Sequence, residues 1–435
     1  MDAIKLASTY FFGTEDYILS NSMIATVTFK RRIDAEKLFS SYRSLIMDNP
    51  LLQAKRVEQF EKDTFVWGHF SQEELEHFLE AEKVKLSQYF TEEEVLAQYR
   101  PTNARLPFRI YPINEYTMIF AMNHAVANGL SLVFWIKRWL EYYSGEPDSE
   151  PENKAAKGDV SKDRLLRMKR RFSAFMWMPV FVAGFMSRVR GKGTGVGETV
   201  DLSYGRRPEQ GGGYVKKSYR FSKEETGEIL RRCRSLKMTL TEYICYRMTD
   251  GLLQHAPCKQ RVFVSMPMDL KFLHNYSPET MHGNYVASLP MQFFRAGNLE
   301  KQVKSAFKWF KRGVPYALSL FFASFSNSYR KYKQQCLELV MKTMPERFPL
   351  WNFTITLSNL GVISYPIMEE WVDTIYFSIK NQSLLLTTAT LSGRLMMEVS
   401  VLENLYDSEE VFGLFDRILS VEQLLNDLSP CQVDK

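Results

Sequence analysis

The chain has 435 residues, more than one ordinary hydrophobic core holds, so two domains are expected. Hydrophobic residues make up 45% and charged residues 24%, which excludes a disordered or collagen-like chain. A formal net charge of +6 favours small anionic partners but is too dispersed for a nucleic-acid binder.

Cys233, Cys245, Cys258, Cys336 and Cys431 form no CxxC pair and no metal-ligand spacing, so neither a metal site nor a disulfide framework is expected. They read as the reduced thiols of a cytoplasmic protein. The opening Met1-Asp2-Ala3-Ile4-Lys5 lacks the pattern of a signal peptide, and no run reaches the roughly 18 apolar residues of a spanning helix.

Ser22 to Lys30 alternates apolar and polar residues and predicts a strand. Asp34 caps a helix with Leu38, Tyr42, Leu45 and Ile46 on one face, stopped at Asn49-Pro50. Leu51 to Val57 and Thr64 to Trp67 read as paired strands, and Glu73 to Lys85 and Thr91 to Tyr99 as helices with acidic first turns. Leu106 to Tyr111 and Tyr116 to Phe120 predict a hairpin across Asn114-Glu115. The second strand runs into Asn123-His124-Ala125-Val126-Ala127-Asn128-Gly129, and Leu130 to Tyr143 follows as a helix. This order fits an α/β sandwich with a mixed sheet, and no GxGxxG or Walker loop points to a nucleotide fold.

Gly145 to Asp163 reads as a linker. Phe172 to Met186, rich in aromatics and methionine between Lys169-Arg170-Arg171 and Arg188, suits either a crossover helix packed on the other domain or contact with a membrane interface or lipid-like substrate. Gly211-Gly212-Gly213 marks the start of a second domain. The expected division is 1–145, a linking segment 146–213, and 214–435.

In the second half, Tyr214 to Phe221 predicts a strand, and Ser222 opens a capping-box helix to about Leu236. A helix over Leu240 to His255 and strands over Arg261 to Met266 and from Gly283 to Pro290 follow. Leu299 to Arg312 and Ala317 to Thr343 read as helices. Phe353 to Leu357, Val372 to Ser378, Leu384 to Ser392 and Arg394 to Val401 read as strands, and Ser408 to Leu428 as a closing helix.

His124 is the leading candidate for chemistry, because an imidazole held between a strand and a glycine turn can accept a proton at neutral pH. A structural histidine in a half-buried strand fits the same pattern. Ser358 and Asn359 are expected at a strand end, where hydroxyl and amide groups could hold an oxyanion or merely form a polar turn. His274 and His282, near Asp269 and Glu279, match no common metal spacing. No GxSxG elbow is present.

Asn123-His124 through Asn128-Gly129 resembles the HHxxxDG motif of the chloramphenicol acetyltransferase-like superfamily, which includes condensation domains, wax-ester synthases and BAHD acyltransferases. Further segments match in order. Ile33 to Leu38 with Asn49-Pro50-Leu51-Leu52 resembles the family's first helix and following strand, and Leu106 to Arg109 the strand before the motif. Val264 to Lys271 resembles the second domain's P-x-D-L-R strand, and Gly283-Asn284-Tyr285-Val286 the segment after it. Ser358-Asn359-Leu360-Gly361 is similar to the SNLG of the alcohol acetyltransferase-like branch.

The resemblance implies two similar domains in pseudo-twofold arrangement with a tunnel at the seam. It implies transfer from a coenzyme A or phosphopantetheine thioester, as co-substrate and not as a bound cofactor, to a hydroxyl or amine acceptor. In that reading His124 is the general base, Gly129 lets the helix start close behind it, and Ser358 and Asn359 hold the oxyanion. Asp269, Lys271 and Asn284 are then seam candidates. Asn123 stands for the first histidine, Lys271 for arginine, and Asn128 for an aspartate that normally pairs with an arginine. Losing that charge removes a charge-assisted bond of about 1.5–3 kcal/mol. A catalytically silent binding module of the same fold is the alternative that both asparagines suit.

Overall fold

The structure, a computed structural model, describes residues 22–59, 64–98, 106–124, 127–145, 199–203, 214–269, 286–311, 354–379 and 384–425. The first half builds β1 (Ser22–Phe29), α1 (Ala35–Asp48), the hairpin β2 (Ala54–Gln59) and β3 (Thr64–His69), α2 (Gln72–Leu86) and α3 (Glu92–Gln98). It then forms β4 (Phe108–Pro112), β5 (Thr117–Asn123) and α4 (Gly129–Ser144). The second half builds β6 (Tyr214–Arg220), α5 (Lys223–Ser235), α6 (Leu240–His255), β7 (Arg261–Asp269), β8 (Val286–Phe294) and α7 (Leu299–Lys311). It continues with β9 (Ile355–Ile363), α8 (Pro366–Trp371), β10 (Val372–Ile379), β11 (Leu385–Leu391), β12 (Arg394–Leu402), α9 (Ser408–Ile418) and α10 (Val421–Leu425).

A four-stranded sheet has the order β10-β1-β5-β4, and a six-stranded sheet the order β6-β12-β11-β9-β7-β8. The first is antiparallel throughout; in the second, β9 runs parallel to both β11 and β7. The first sheet therefore takes an edge strand from the second half of the chain. β10 pairs with β1 over Met23↔Ile379 to Phe29↔Val372 and then hands over to β11 in the other sheet.

Period-two alternation puts Met23, Ala25, Val27 and Phe29 into a core shared with α1 and α4. Trp139 of α4 is fully buried there, its ring 5.2 Å from Phe120 and 5.9 Å from Phe29, with its indole N–H donating to Ser41 Oγ at 3.1 Å. The opposite face of β1 and β5 sends Ile24, Ile119 and Ala121 into a core shared with α5, α6 and α9. The two faces of one sheet thus serve both halves of the molecule.

Several sequence expectations change. Proline at the start of Pro50–Gln53 favours a 3-10 turn, so the strand begins at Ala54. The closing helix is broken after Ile418, and Ser420 caps a new one by accepting from the Gln423 amide at 3.1 Å. Ser358–Gly361 is not a strand end, because β9 runs on to Ile363. Phe172–Met186, Ala317–Thr343, Lys271 and Asn284 lie outside the described residues. Among the described residues no helix is long and apolar enough to cross a membrane, and no group of His, Cys, Asp and Glu could hold a metal.

Candidate active site

β5 delivers the histidine. Its last residue, Asn123, pairs with Ser22 of β1 and donates its amide to Pro107 O at 2.9 Å, so the strand is held from both sides up to the residue before His124. His124 is half-buried. Its Nδ1 lies 2.9 Å from the carbonyl oxygen of Ala127. A carbonyl only accepts, so Nδ1 carries the proton and Nε2 keeps its lone pair. Burial lowers the imidazole's pKa below its ordinary value, with the Ala127 carbonyl and the residue's own backbone opposing that shift. The ring is therefore a neutral base at neutral pH, in the tautomer that leaves Nε2 ready to take a proton.

Asn128 is buried and caps α4. Its Oδ1 accepts from the Ser131 amide at 3.0 Å and from Ser131 Oγ at 3.1 Å. Capping needs only an acceptor oxygen, which asparagine supplies as aspartate would. Asn128 is thus a structural support for the turn carrying His124, and the turn closes without a carboxylate.

Gly129 starts the helix where nothing larger fits easily. A β-carbon there would lie 3.0 Å from Leu360 Cδ2, so absence of a side chain lets α4 approach β9. Two segments more than two hundred residues apart, the histidine turn and Ser358–Gly361, are thereby brought together.

Within β9, Asn359 folds the strand. Its Oδ1 accepts from the Gly361 amide at 2.8 Å, and its Nδ2 donates to Thr241 Oγ1 of α6 at 2.6 Å. Gly361 has φ +79°, and the register against β11 slips between Thr388 and Thr390. This is a bulge, made possible by the one residue type that adopts such a φ at no steric cost. Asn359 is therefore occupied in shaping the strand. Ser358, half-exposed and opposite Thr387, sits on the flank of the bulge. Asp269 ends β7 opposite Val286, at the far side of β9 in the same sheet.

Leu360 and Ala127 fall within the sequence motifs, but sequence reasoning gave no role to Leu360, to the Ala127 carbonyl or to Thr241. The Asn359-x-Gly361 spacing signals a backbone turn but not whether it lies at a strand end or within a strand, and nothing in Thr241 or Leu360 marks a partner so distant in the chain.

No family model and no curated protein sequence matches the chain. Solved structures do. It is similar to polyketide synthase associated protein 5 from Mycobacterium tuberculosis, at 12% identity over 98% of each chain with a TM-score of 0.58. It is similar to the condensation domain of the Monacolin K polyketide synthase MokA, at 12% identity over 94% of this chain and 93% of that one, TM-score 0.58. The starter condensation domain of rhizomide synthetase RzmA, crystallised with C8-CoA, matches at 13% identity over 94% and 90%, TM-score 0.55. The chain has the two-domain, mixed α/β chloramphenicol acetyltransferase-like fold found in condensation domains.

Proposed function

We propose that the protein is an acyltransferase that moves an acyl group from a coenzyme A or carrier-protein thioester to a hydroxyl or amine acceptor, with His124 as general base. The observation that carries this reading is the Nδ1–Ala127 contact, which leaves Nε2 as the basic nitrogen of a ring kept neutral by burial. Nε2 takes the proton of the acceptor as its oxygen or nitrogen attacks the thioester carbonyl. The tetrahedral oxyanion collapses, the C–S bond breaks, and the imidazolium returns the proton to the leaving thiolate. Ser358, on the strand that Leu360 ties to the histidine turn, is the side chain assigned to the oxyanion.

The complex of a similar condensation domain with C8-CoA supports a thioester donor. A second reading, a binding module without turnover, draws on Asn359, which is engaged by Thr241 and Gly361 and so leaves fewer groups for an oxyanion. Incubation with a panel of acyl-CoAs, with and without amine and alcohol acceptors, separates the two by release of free thiol. Release dependent on acceptor supports transfer; retention of intact thioester by a protein that binds it supports the module.

A further inference from the structure

An ionic cluster, buried at Lys216 and Glu398 and open to solvent at Glu92, joins the two sheets away from the histidine. Lys216 leaves β6 of the second sheet and crosses to the first. Its ammonium contacts the Glu92 carboxylate of α3, donates to Thr26 Oγ1 of β1 at 2.7 Å, and lies 3.5 Å from Glu398 Oε2 of β12. Thr26 Oγ1 in turn donates to Glu92 at 3.0 Å, and Ser218 Oγ donates to Glu398 Oε2 at 3.1 Å. Glu398 is 1% exposed. Its second oxygen, Oε1, is buried with no hydrogen-bond partner among the described residues.

Two carboxylates share one ammonium, leaving one negative charge in excess when both are ionised. Among the described residues no second cation pairs with either carboxylate. From β6 the cluster is faced by the Tyr214 hydroxyl, and from β10 by Tyr376 and Ser378. Farther out, Arg220 and Arg394 share the Asp373 carboxylate, at 2.9 Å and 3.0 Å, and neither pairs with Glu92 or Glu398. Isolated buried charge is costly, and a carboxyl so placed gives up its charge before it gives up its burial.

We infer that Glu92, Lys216 and Glu398 form a proton-controlled latch between the sheets, balanced and shut when Glu398 is protonated, loosened when Glu398 ionises. Protonation removes the excess negative charge and leaves Lys216 and Glu92 as a neutral pair. Burial pushes the Glu398 carboxyl above its ordinary range; Lys216 opposes this and Glu92 reinforces it. Burial pulls Lys216 down, but the Glu398 and Glu92 carboxylates more than offset it, and when Glu398 is neutral the Glu92 carboxylate remains against the ammonium. The closed form therefore binds the Glu398 proton more tightly than an opened, hydrated form does. Closure is favoured at low pH, and the bias is lost as pH rises through the raised value.

The test is hydrogen–deuterium exchange of β1 and β6 amides in the full chain, corrected for intrinsic rates, from the ordinary carboxylate pKa upward in pH. For one linked proton the opening constant should rise by up to about tenfold per pH unit before levelling. Glu398→Gln should remain at the closed level with no slope. Glu92→Gln leaves one carboxylate on Lys216 and should move the rise to lower pH. Infrared spectra should show a protonated-carboxyl band that titrates in the wild type and is missing from Glu398→Gln. The latch is overturned if Glu398→Gln follows the wild-type pH profile, or if no such band exists. Should Glu398→Gln fail to fold, an unshifted Glu92→Gln profile overturns it equally. None of these readouts depends on His124.

Discussion

Gly129 lies beneath Leu360, so close that a β-carbon on the glycine would stand 3.0 Å from the leucine's Cδ2. This contact couples the histidine turn to the bulge of β9. Gly129→Val should force Leu360 and its strand aside, costing about 1–3 kcal/mol by overpacking. Leu360→Ala on the same background should recover most of that loss, and a double-mutant cycle by chemical denaturation measures the coupling.

Asn128 supplies a neutral cap. Asn128→Ala removes the acceptor for the Ser131 amide and hydroxyl and should destabilise the protein by about 1–2 kcal/mol. Asn128→Ser, which retains a capping oxygen, should lose less. Urea midpoints for the two variants decide this.

The assigned roles of Ser358 and Asn359 separate experimentally. Ser358→Ala should leave the melting temperature near the wild-type value and lower kcat by about 10²-fold if its hydroxyl meets the oxyanion. Asn359→Ala loses the bonds to Gly361 and Thr241 and should lower stability by about 1–3 kcal/mol. Equal melting temperatures for the two variants would contradict the division of labour.

The pH dependence has a definite sign. Burial lowers the His124 pKa, so the neutral ring persists below the ordinary histidine range, and with His124 as the proposed base the acid limb of kcat/KM should fall below about 6.5. The same shift means that the unfolded chain binds this proton more readily, so the histidine's contribution to stability is present above the unfolded value and is lost as pH falls from there through the lower folded value. An acid limb at or above the ordinary histidine value would contradict the assignment.

Much of the site was legible because its geometry is local. Strand, histidine, cap and helix occur within 28 residues, from Thr117 to Ser144, and the apolar, β-forming run of β5 and the apolar positions of α4 announce them. The bulge was not, since a serine and asparagine before a glycine look the same at a strand end as within a strand, and only pairing with β11 on to Ile363 distinguishes them. The crossing of β10 was invisible for another reason. Its residues are β-forming like those of any strand, and which sheet accepts it is decided by β1, more than 340 residues earlier in the chain. Lys216 and Glu398 fall in segments that read as strands, with nothing to mark either residue; their burial follows from the meeting of two sheets, which periodicity does not encode.

The most direct measurement is single-turnover acyl transfer by wild type and His124→Ala, following free thiol and acylated acceptor together, with near-identical circular dichroism and melting curves as the control for folding. General-base catalysis is worth about 10²–10⁴-fold, so the variant should fall by at least that factor while thioester binding persists. Unchanged transfer by His124→Ala would contradict the central claim.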